Sequence, residues 1–98
     1  MKERLIVDKI HKFLKTVGAY PMKIADKFTS GIPDIIAILA NGQTIYIEVK
    51  NETGVVSMIQ QYVIDQATKR GAHAIVIRSV DELKDYMYQK KLLDKTIK

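Results

Sequence analysis

The chain has 98 residues, of which 47% are hydrophobic and 28% are charged, as expected for one globular domain spanning residues 1–98. It has no cysteine, which excludes disulfides and thiolate metal sites, and no apolar run near the ~20 residues that span a membrane. A net charge of +5 favours polyanionic partners, nucleic acid first. We expect no membrane partner and a cytoplasmic, intracellular location, because the charged and periodic start of the chain is unlike a signal peptide.

Residues 3–17 are predicted to form an amphipathic helix. Apolar side chains recur there at helical spacing, and Gly18 suits the C-terminal cap. Glu3 is the exception, because it falls in line with the apolar face. Its carboxylate could face the helix dipole from the first turn or could point at a metal site, and the residues alone leave both open.

A short strand is predicted within residues 20–28, where apolar side chains alternate loosely. Pro21 favours an edge of the sheet for this strand, because proline cannot donate a ladder hydrogen bond. Lys23 and Lys27 in the same stretch could contact phosphates, or they could form a solvated basic face.

A β-hairpin is predicted next, and it is the strongest local signal in the sequence. Residues 35–39 and 43–50 are two largely apolar, β-branched runs on either side of Asn41-Gly42. Gly31 and Pro33 set a rigid bend just before the first run. Both faces of the hairpin are apolar apart from a few charges, so we expect helices on both sides of the sheet.

The length of the hairpin loop decides whether three charged side chains meet. A two-residue turn would pair Asp34 with Val49 and leave Asp34 on the wrong face. A three-residue loop with Gly42 in the left-handed conformation pairs Asp34 with Glu48 instead. Only this second register gathers Asp34, Glu48 and Lys50 on one face, with Cβ atoms of the two acids roughly 5 Å apart. We predict the second register.

The rest of the chain is predicted to form a helix, a strand and a helix. A helix begins at Ser57 and runs to about Arg70, and residues 73–78 form a short apolar strand, interpreted as central in the sheet. A helical crossover between strands implies parallel pairing. A final helix covers about residues 79–89. The expected architecture is α/β, in the order α-β-β-β-α-β-α, with a small mixed sheet flanked by helices on both faces.

Several polar and apolar residues keep two interpretations. Gln60 has the spacing of a capping box with Ser57, in which it would bond the Ser57 backbone, yet it could also hold a nucleophile or phosphate oxygen. Gln66 could be a satisfied buried amide or a subunit contact. The apolar side chains near the basic end of the chain could dock on this domain or on a partner; they are Tyr86, Met87, Leu92 and Leu93.

The charged residues lie within motifs that resemble a known nuclease signature. Pro33-Asp34, a hairpin and then Glu48-Val49-Lys50 are similar to the PD-(D/E)xK pattern. The longer Gly31-Ile32-Pro33-Asp34, with Ser57-Met58-Ile59-Gln60 further on, resembles one branch of it, the virus-type replication–repair nuclease domain (VRR-Nuc). The resemblance covers roughly residues 1–83. It implies a restriction-endonuclease-like fold and metal-dependent hydrolysis of DNA phosphodiesters.

Two neighbouring carboxylates at the end of a strand form an oxygen-rich site that suits a hard cation, here Mg²⁺ or Mn²⁺. Asp34 and Glu48 are the predicted ligands, with the Val49 carbonyl as a third and Glu3 as a further candidate. A metal there would lower the pKa of a bound water and polarise the phosphodiester. Lys50 could orient that water or stabilise the developing negative charge.

The resemblance also implies substrate and assembly. It places Gln60 in the active site, and Ser57, Lys23 and Lys27 are candidate nucleic-acid contacts. Stand-alone members of the family look like homodimers that act on branched DNA, including four-way junctions, which would associate the protein with nucleoid or viral DNA in repair or replication. The alternative from another functional class is a non-catalytic nucleic-acid-binding or scaffold protein with the same fold.

Overall fold

A computed structural model of the chain describes residues 1–25 and 30–93, and its elements follow the predicted order. The first half contains a helix and three strands, and the second half contains a helix, a strand and a helix. Their bounds are α1 Glu3–Thr16, β1 Tyr20–Lys23, β2 Ile35–Ile38, β3 Thr44–Val49, α2 Met58–Lys69, β4 His73–Ile77 and α3 Val80–Gln89. Residues 26–28, which the first predicted strand included, lie outside the described ranges. No helix within those ranges is both long and apolar enough to cross a membrane.

The four strands form one mixed sheet in the order β1-β2-β3-β4. β1, β2 and β3 pair antiparallel, whereas β3 and β4 pair parallel across the α2 crossover, as predicted. Pro21 lies on an edge strand, which confirms that prediction. The placement of β4 in the centre of the sheet was wrong, because β4 is the other edge. Its apolar character has a different cause: α2 and α3 pack against it.

The hairpin between β2 and β3 adopts the predicted three-residue loop. Ile35 pairs with Ile47, and the Leu39 backbone N–H donates to the Gln43 carbonyl at 2.7 Å. Gly42 has φ +87°, in the left-handed region that the loop requires. One further step along the same register puts Asp34 opposite Glu48, so both carboxylates lie on one face of the sheet.

The opposite face of the hairpin forms the main core with α1 and α3. Its members are buried apolar side chains of α1, the sheet and α3, including Ile10, Leu14, Ile35, Ile45, Ile47, Val49 and Leu83. Met87 and Leu93 belong to this same core, and Tyr86 and Leu92 pack against it. The chain up to residue 93 therefore docks on its own domain. Burying a Leu or Met side chain typically contributes about 1.5–3 kcal/mol, which accounts for the docking.

The segment before Asp34 lies directly against α2. Gly31 has φ +83°, and a methyl group added to it would lie 2.8 Å from the Ile59 carbonyl oxygen. Only glycine permits both this backbone conformation and this approach. The contact brings the first turn of α2, which carries Gln60, to the same end of the sheet as Asp34.

Candidate active site

The candidate site lies where β3 ends and β2 begins. Asp34 immediately precedes β2, and Glu48 is the penultimate residue of β3. Glu48 is 3% exposed, the buried charged residue within the described part of the chain. A carboxylate at this depth requires partners, because desolvation of an unpaired charge is costly.

Gln60 supplies one of these partners while it also forms the predicted helix cap. Its Oε1 accepts a hydrogen bond from the Ser57 backbone N–H at 2.9 Å, so the capping box is present. Its Nε2 donates to Glu48 Oε2 at 3.0 Å. The cap uses the oxygen of the amide, and the nitrogen is used by Glu48. A role of Gln60 toward a nucleophile or a phosphate oxygen stays a prediction. The cap also fixes which way the amide points.

Asp34 is held from the backbone of the neighbouring strand. Its Oδ2 accepts a hydrogen bond from the Val49 N–H at 2.7 Å. Its carboxylate is close enough to that of Glu48 to raise the pKa of the glutamate. Its own carbonyl accepts from the Ile24 N–H at 2.9 Å. Both the side chain and the backbone carbonyl of Asp34 are therefore fixed by hydrogen bonds, on the face of the sheet that Glu48 shares.

Lys50 completes the group of charges on this face. Its Nζ lies 3.7 Å from Glu48 Oε2, and its side chain is only 14% exposed. At that separation the two groups form an ion pair without a close hydrogen bond. The ammonium is therefore available to a further anion at the same site, such as a phosphate oxygen.

The pKa of Glu48 is raised from 4.5 to about 7. Burial is the main cause, and the charge and hydrogen bond of Asp34 add to it. The Lys50 ammonium acts in the opposite direction and lowers the pKa, but it does not offset the other two. The site as built has more negative charge than its own cation neutralises, which favours the binding of an additional cation.

Glu3 is the further candidate for a metal ligand. Glu3 lies at the start of α1, and its charge contributes to the raised pKa of Glu48. Within residues 1–25 and 30–93, however, no three His, Asp or Glu side chains form a group that could hold a metal. Glu3 as a metal ligand therefore stays a prediction, and Asp34 with Glu48 remains the pair that the fold brings together.

The candidate nucleic-acid contacts have local partners. Lys23 pairs with Asp8 at 2.6 Å, an exposed ion pair that reduces its free charge. Ser57 caps α2, with its Oγ accepting from the Gln60 N–H at 3.2 Å. Lys27 lies outside the described residues. The structure also adds Arg78, which was absent from the sequence-based candidates and whose guanidinium reaches the loop after Lys50. Its position directly after an apolar strand was the available signal.

The mixed sheet, with an acidic pair and a lysine at one strand end, has the arrangement that the resemblance to the PD-(D/E)xK pattern led us to expect. The model of the VRR-NUC domain family matches residues 3–81, and the chain belongs to this family. A solved structure described as a VRR_NUC domain is 25% identical, with a TM-score of 0.77, over 89% of this chain and 94% of that one. A second, a VRR_NUC domain protein, is 19% identical with a TM-score of 0.76, over 96% and 92%, and supports the fold alone. No curated protein matches.

Proposed function

We propose that this protein is a metal-dependent DNA endonuclease. The observation that carries the proposal is the meeting of Asp34, Glu48 and Lys50 on one face at one end of the sheet, with Lys50 Nζ 3.7 Å from Glu48. Membership of a nuclease family supports DNA as the partner. A scaffold would have no need to bury a glutamate beside an aspartate at a cost in free energy.

The donor atoms fit Mg²⁺ or Mn²⁺. Two carboxylates and a nearby backbone carbonyl are hard oxygen ligands, and such cations complete their coordination with water and substrate phosphate. Asp34 and Glu48 would hold the metal, with the Val49 carbonyl as a third ligand. When bound, the cation would supply Lewis acidity to the phosphodiester and a more acidic water.

The remaining side chains have separate roles in the proposed reaction. Lys50 faces the position of the scissile phosphate and stabilises the negative charge that develops there. Gln60 acts through Glu48: its amide, fixed by the α2 cap, donates to one carboxylate oxygen and orients the other. Gln60 thus resembles the outer hydrogen-bond partners that orient metal ligands.

Branched DNA is the proposed substrate, and a homodimer is the proposed working form. One site cuts one strand, whereas resolving a four-way junction requires two cuts on opposing strands. A two-fold dimer supplies both, and most soluble oligomers are of this kind. Four apolar residues near the end of the described chain do not support this proposal, because they pack on the domain itself; they are Tyr86, Met87, Leu92 and Leu93. Its support within the described residues is the exposed apolar group at the start of α2, formed by Met58, Ile59 and Tyr62.

A panel of linear, flapped, splayed and four-way DNAs, each incubated with Mg²⁺, Mn²⁺ or chelator, tests the proposal. We expect metal-dependent cleavage that prefers the four-way junction, weakening steeply with salt because phosphate contacts release counterions. Light scattering at the working concentration should give twice the chain mass. A monomer with no preference for branched DNA would defeat the substrate and dimer proposals. Failure of calorimetry to detect Mn²⁺ binding, together with no cleavage, would favour the scaffold alternative.

A further inference from the structure

The loop that follows Lys50 is a compact turn with its own hydrogen bonds. The Gly54 N–H donates to the Asn51 carbonyl at 3.2 Å, and Asn51 Oδ1 accepts from the Thr53 backbone N–H at 3.2 Å and from Thr53 Oγ1 at 3.3 Å. Asn51 directly follows Lys50 in the chain. The position of this 51–54 loop therefore sets the backbone position of Lys50, just after the end of β3.

Arg78 ties both ends of the 51–54 loop from the neighbouring strand. Its Nη1 donates to the Asn51 carbonyl at 2.5 Å and to the Gly54 carbonyl at 2.8 Å. Nη1 has two N–H groups, so this nitrogen is fully used by the two carbonyls. Carbonyls at the two ends of a four-residue turn are thereby held by one planar, permanently charged group.

The backbone around Arg78 is itself anchored. Ile77, just before it, pairs with Val49 in the parallel ladder, and the Ile77 carbonyl accepts from the Lys50 N–H at 3.1 Å. The Arg78 N–H donates to Glu82 Oε1 at 2.7 Å, in the first turn of α3. The same glutamate donates its backbone N–H to Ser79 Oγ at 3.2 Å, the cap of α3. Arg78 therefore connects α3 and β4 to the loop beside the site.

The 51–54 loop packs on two residues of the candidate site. A methyl group added to Gly54 would lie 3.2 Å from Glu3 Oε2 and 3.2 Å from Lys50 Cβ. There is no free space for a methyl group between Gly54 and these two residues, so a displacement of the loop toward them would move the lysine stem and the Glu3 carboxylate.

We propose that Arg78 is a positioning residue for the nuclease reaction, one that holds the 51–54 loop so that Lys50 and Glu3 keep their places. This inference rests on the proposed nuclease function. Arg78 is not proposed to contact the substrate, because both N–H groups of its Nη1 bind the loop. It would affect the rate of cleavage through the position of Lys50. Loss of an outer hydrogen-bond partner commonly costs about 10–100-fold in activity, and a displacement near 1 Å can cost about 100-fold.

The test compares Arg78→Met with Arg70→Met as a matched control. Arg70 also uses Nη1 for two bonds, to the carbonyl and Oε1 of Gln66, but it lies before β4, at the opposite end of that strand. For R78M we expect kcat on the cleaved DNA to fall about 10–100-fold, with the affinities for DNA and Mn²⁺ unchanged. R70M should retain the wild-type kcat.

Amide hydrogen exchange gives a readout that does not require activity. In R78M the Gly54 amide should exchange at least about 10-fold faster than in wild type, because the turn that it closes loses its tie, while R70M should match wild type. Partial recovery of kcat in Arg78→Lys, which keeps the charge but not the planar fork, would fit the same role.

Gly54→Ala is a second variant, which displaces the loop directly and replaces R78M in the test if R78M does not fold. Gly54 has no left-handed backbone requirement, so the added methyl acts through its contacts with Glu3, Lys50 and the Asn51 side chain of the loop itself. It should lower kcat while DNA and Mn²⁺ affinities stay constant.

Two results would overturn the positioning role: a folded R78M with wild-type kcat and Gly54 exchange, or an R78M whose loss lies entirely in DNA affinity. A wild-type chain that cleaves none of the DNAs would instead remove the proposed function itself, and the exchange comparison would still report whether Arg78 fixes the loop.

Discussion

Replacing Glu48 with glutamine should stabilise the metal-free protein at neutral and alkaline pH. The substitution keeps the size of the side chain and mimics the protonated carboxyl. The new amide can accept from Gln60 Nε2, as Glu48 Oε2 does at 3.0 Å, and can donate to Asp34. It removes the buried negative charge that lies beside Asp34.

The magnitude follows from the pKa of Glu48, which is about 7 in the folded chain against an ordinary 4.5. The folded state binds this proton more tightly than the unfolded state does. The free energy of unfolding therefore falls as pH rises from about 4.5, and the loss is complete above about 7. At 1.36 kcal/mol for each tenfold change, ionising Glu48 costs the fold about 3 kcal/mol as an upper value. In a domain of this size, 1 kcal/mol shifts Tm by roughly 4–8 °C.

Thermal and urea unfolding in chelator, from pH 4.5 to 8.5, measures this effect. E48Q should match wild type near pH 4.5 and exceed its Tm at pH 8 by up to about 12–24 °C. Asp85→Asn, which removes an exposed carboxylate in the middle of α3, should follow the wild-type pH dependence. A wild-type stability that does not fall between pH 5 and 8, or an E48Q no more stable at pH 8, would refute the reasoning.

Three other substitutions separate the roles at the site. Lys50→Ala should nearly abolish cleavage in a folded protein that still binds Mn²⁺, because the ammonium acts on developing charge; near-normal turnover would contradict its role. Asp34→Ala should lose Mn²⁺ affinity in calorimetry as well as activity, and an unchanged Kd would remove Asp34 from the ligand set. Gly31→Ala should lower the free energy of unfolding by about 1–3 kcal/mol, because the methyl meets the Ile59 carbonyl in a left-handed backbone; an unchanged urea midpoint would disprove that contact.

The hairpin register could be predicted because its loop chemistry and the charge pattern agree. A left-handed Gly42 permits a three-residue loop, and only that loop places Asp34 and Glu48 on one face. A register shift of one residue would have put the aspartate into the apolar core. Local rules and global burial therefore selected the same pairing.

The role of Gln60 was harder to predict, because its side-chain amide has two polar atoms that can bind different partners. The Gln60 amide serves the helix cap and Glu48 at once, which spacing alone could not indicate. The edge position of β4 was missed because cover from helices makes an edge strand as apolar as a central one.

Arg78 was missed for another physical reason. Its partners are the carbonyls of Asn51 and Gly54, and backbone acceptors leave no mark in the pattern of side chains. The burial of Met87 and Leu93 in the core depends on how α3 packs on the sheet. Their apolar character alone did not decide between the core and a partner.

The central claim is that Asp34, Glu48 and Lys50 form one hydrolytic centre for DNA, and cleavage of a labelled four-way junction tests it most directly. Wild type, Lys50→Ala and the remote Arg70→Met would be compared at equal concentration with Mn²⁺, Mg²⁺ and chelator. Wild type and R70M should cut in either metal and stop in chelator, and folded K50A should not cut in any condition. Cleavage that persists in chelator, or that K50A retains in full, would contradict the claim.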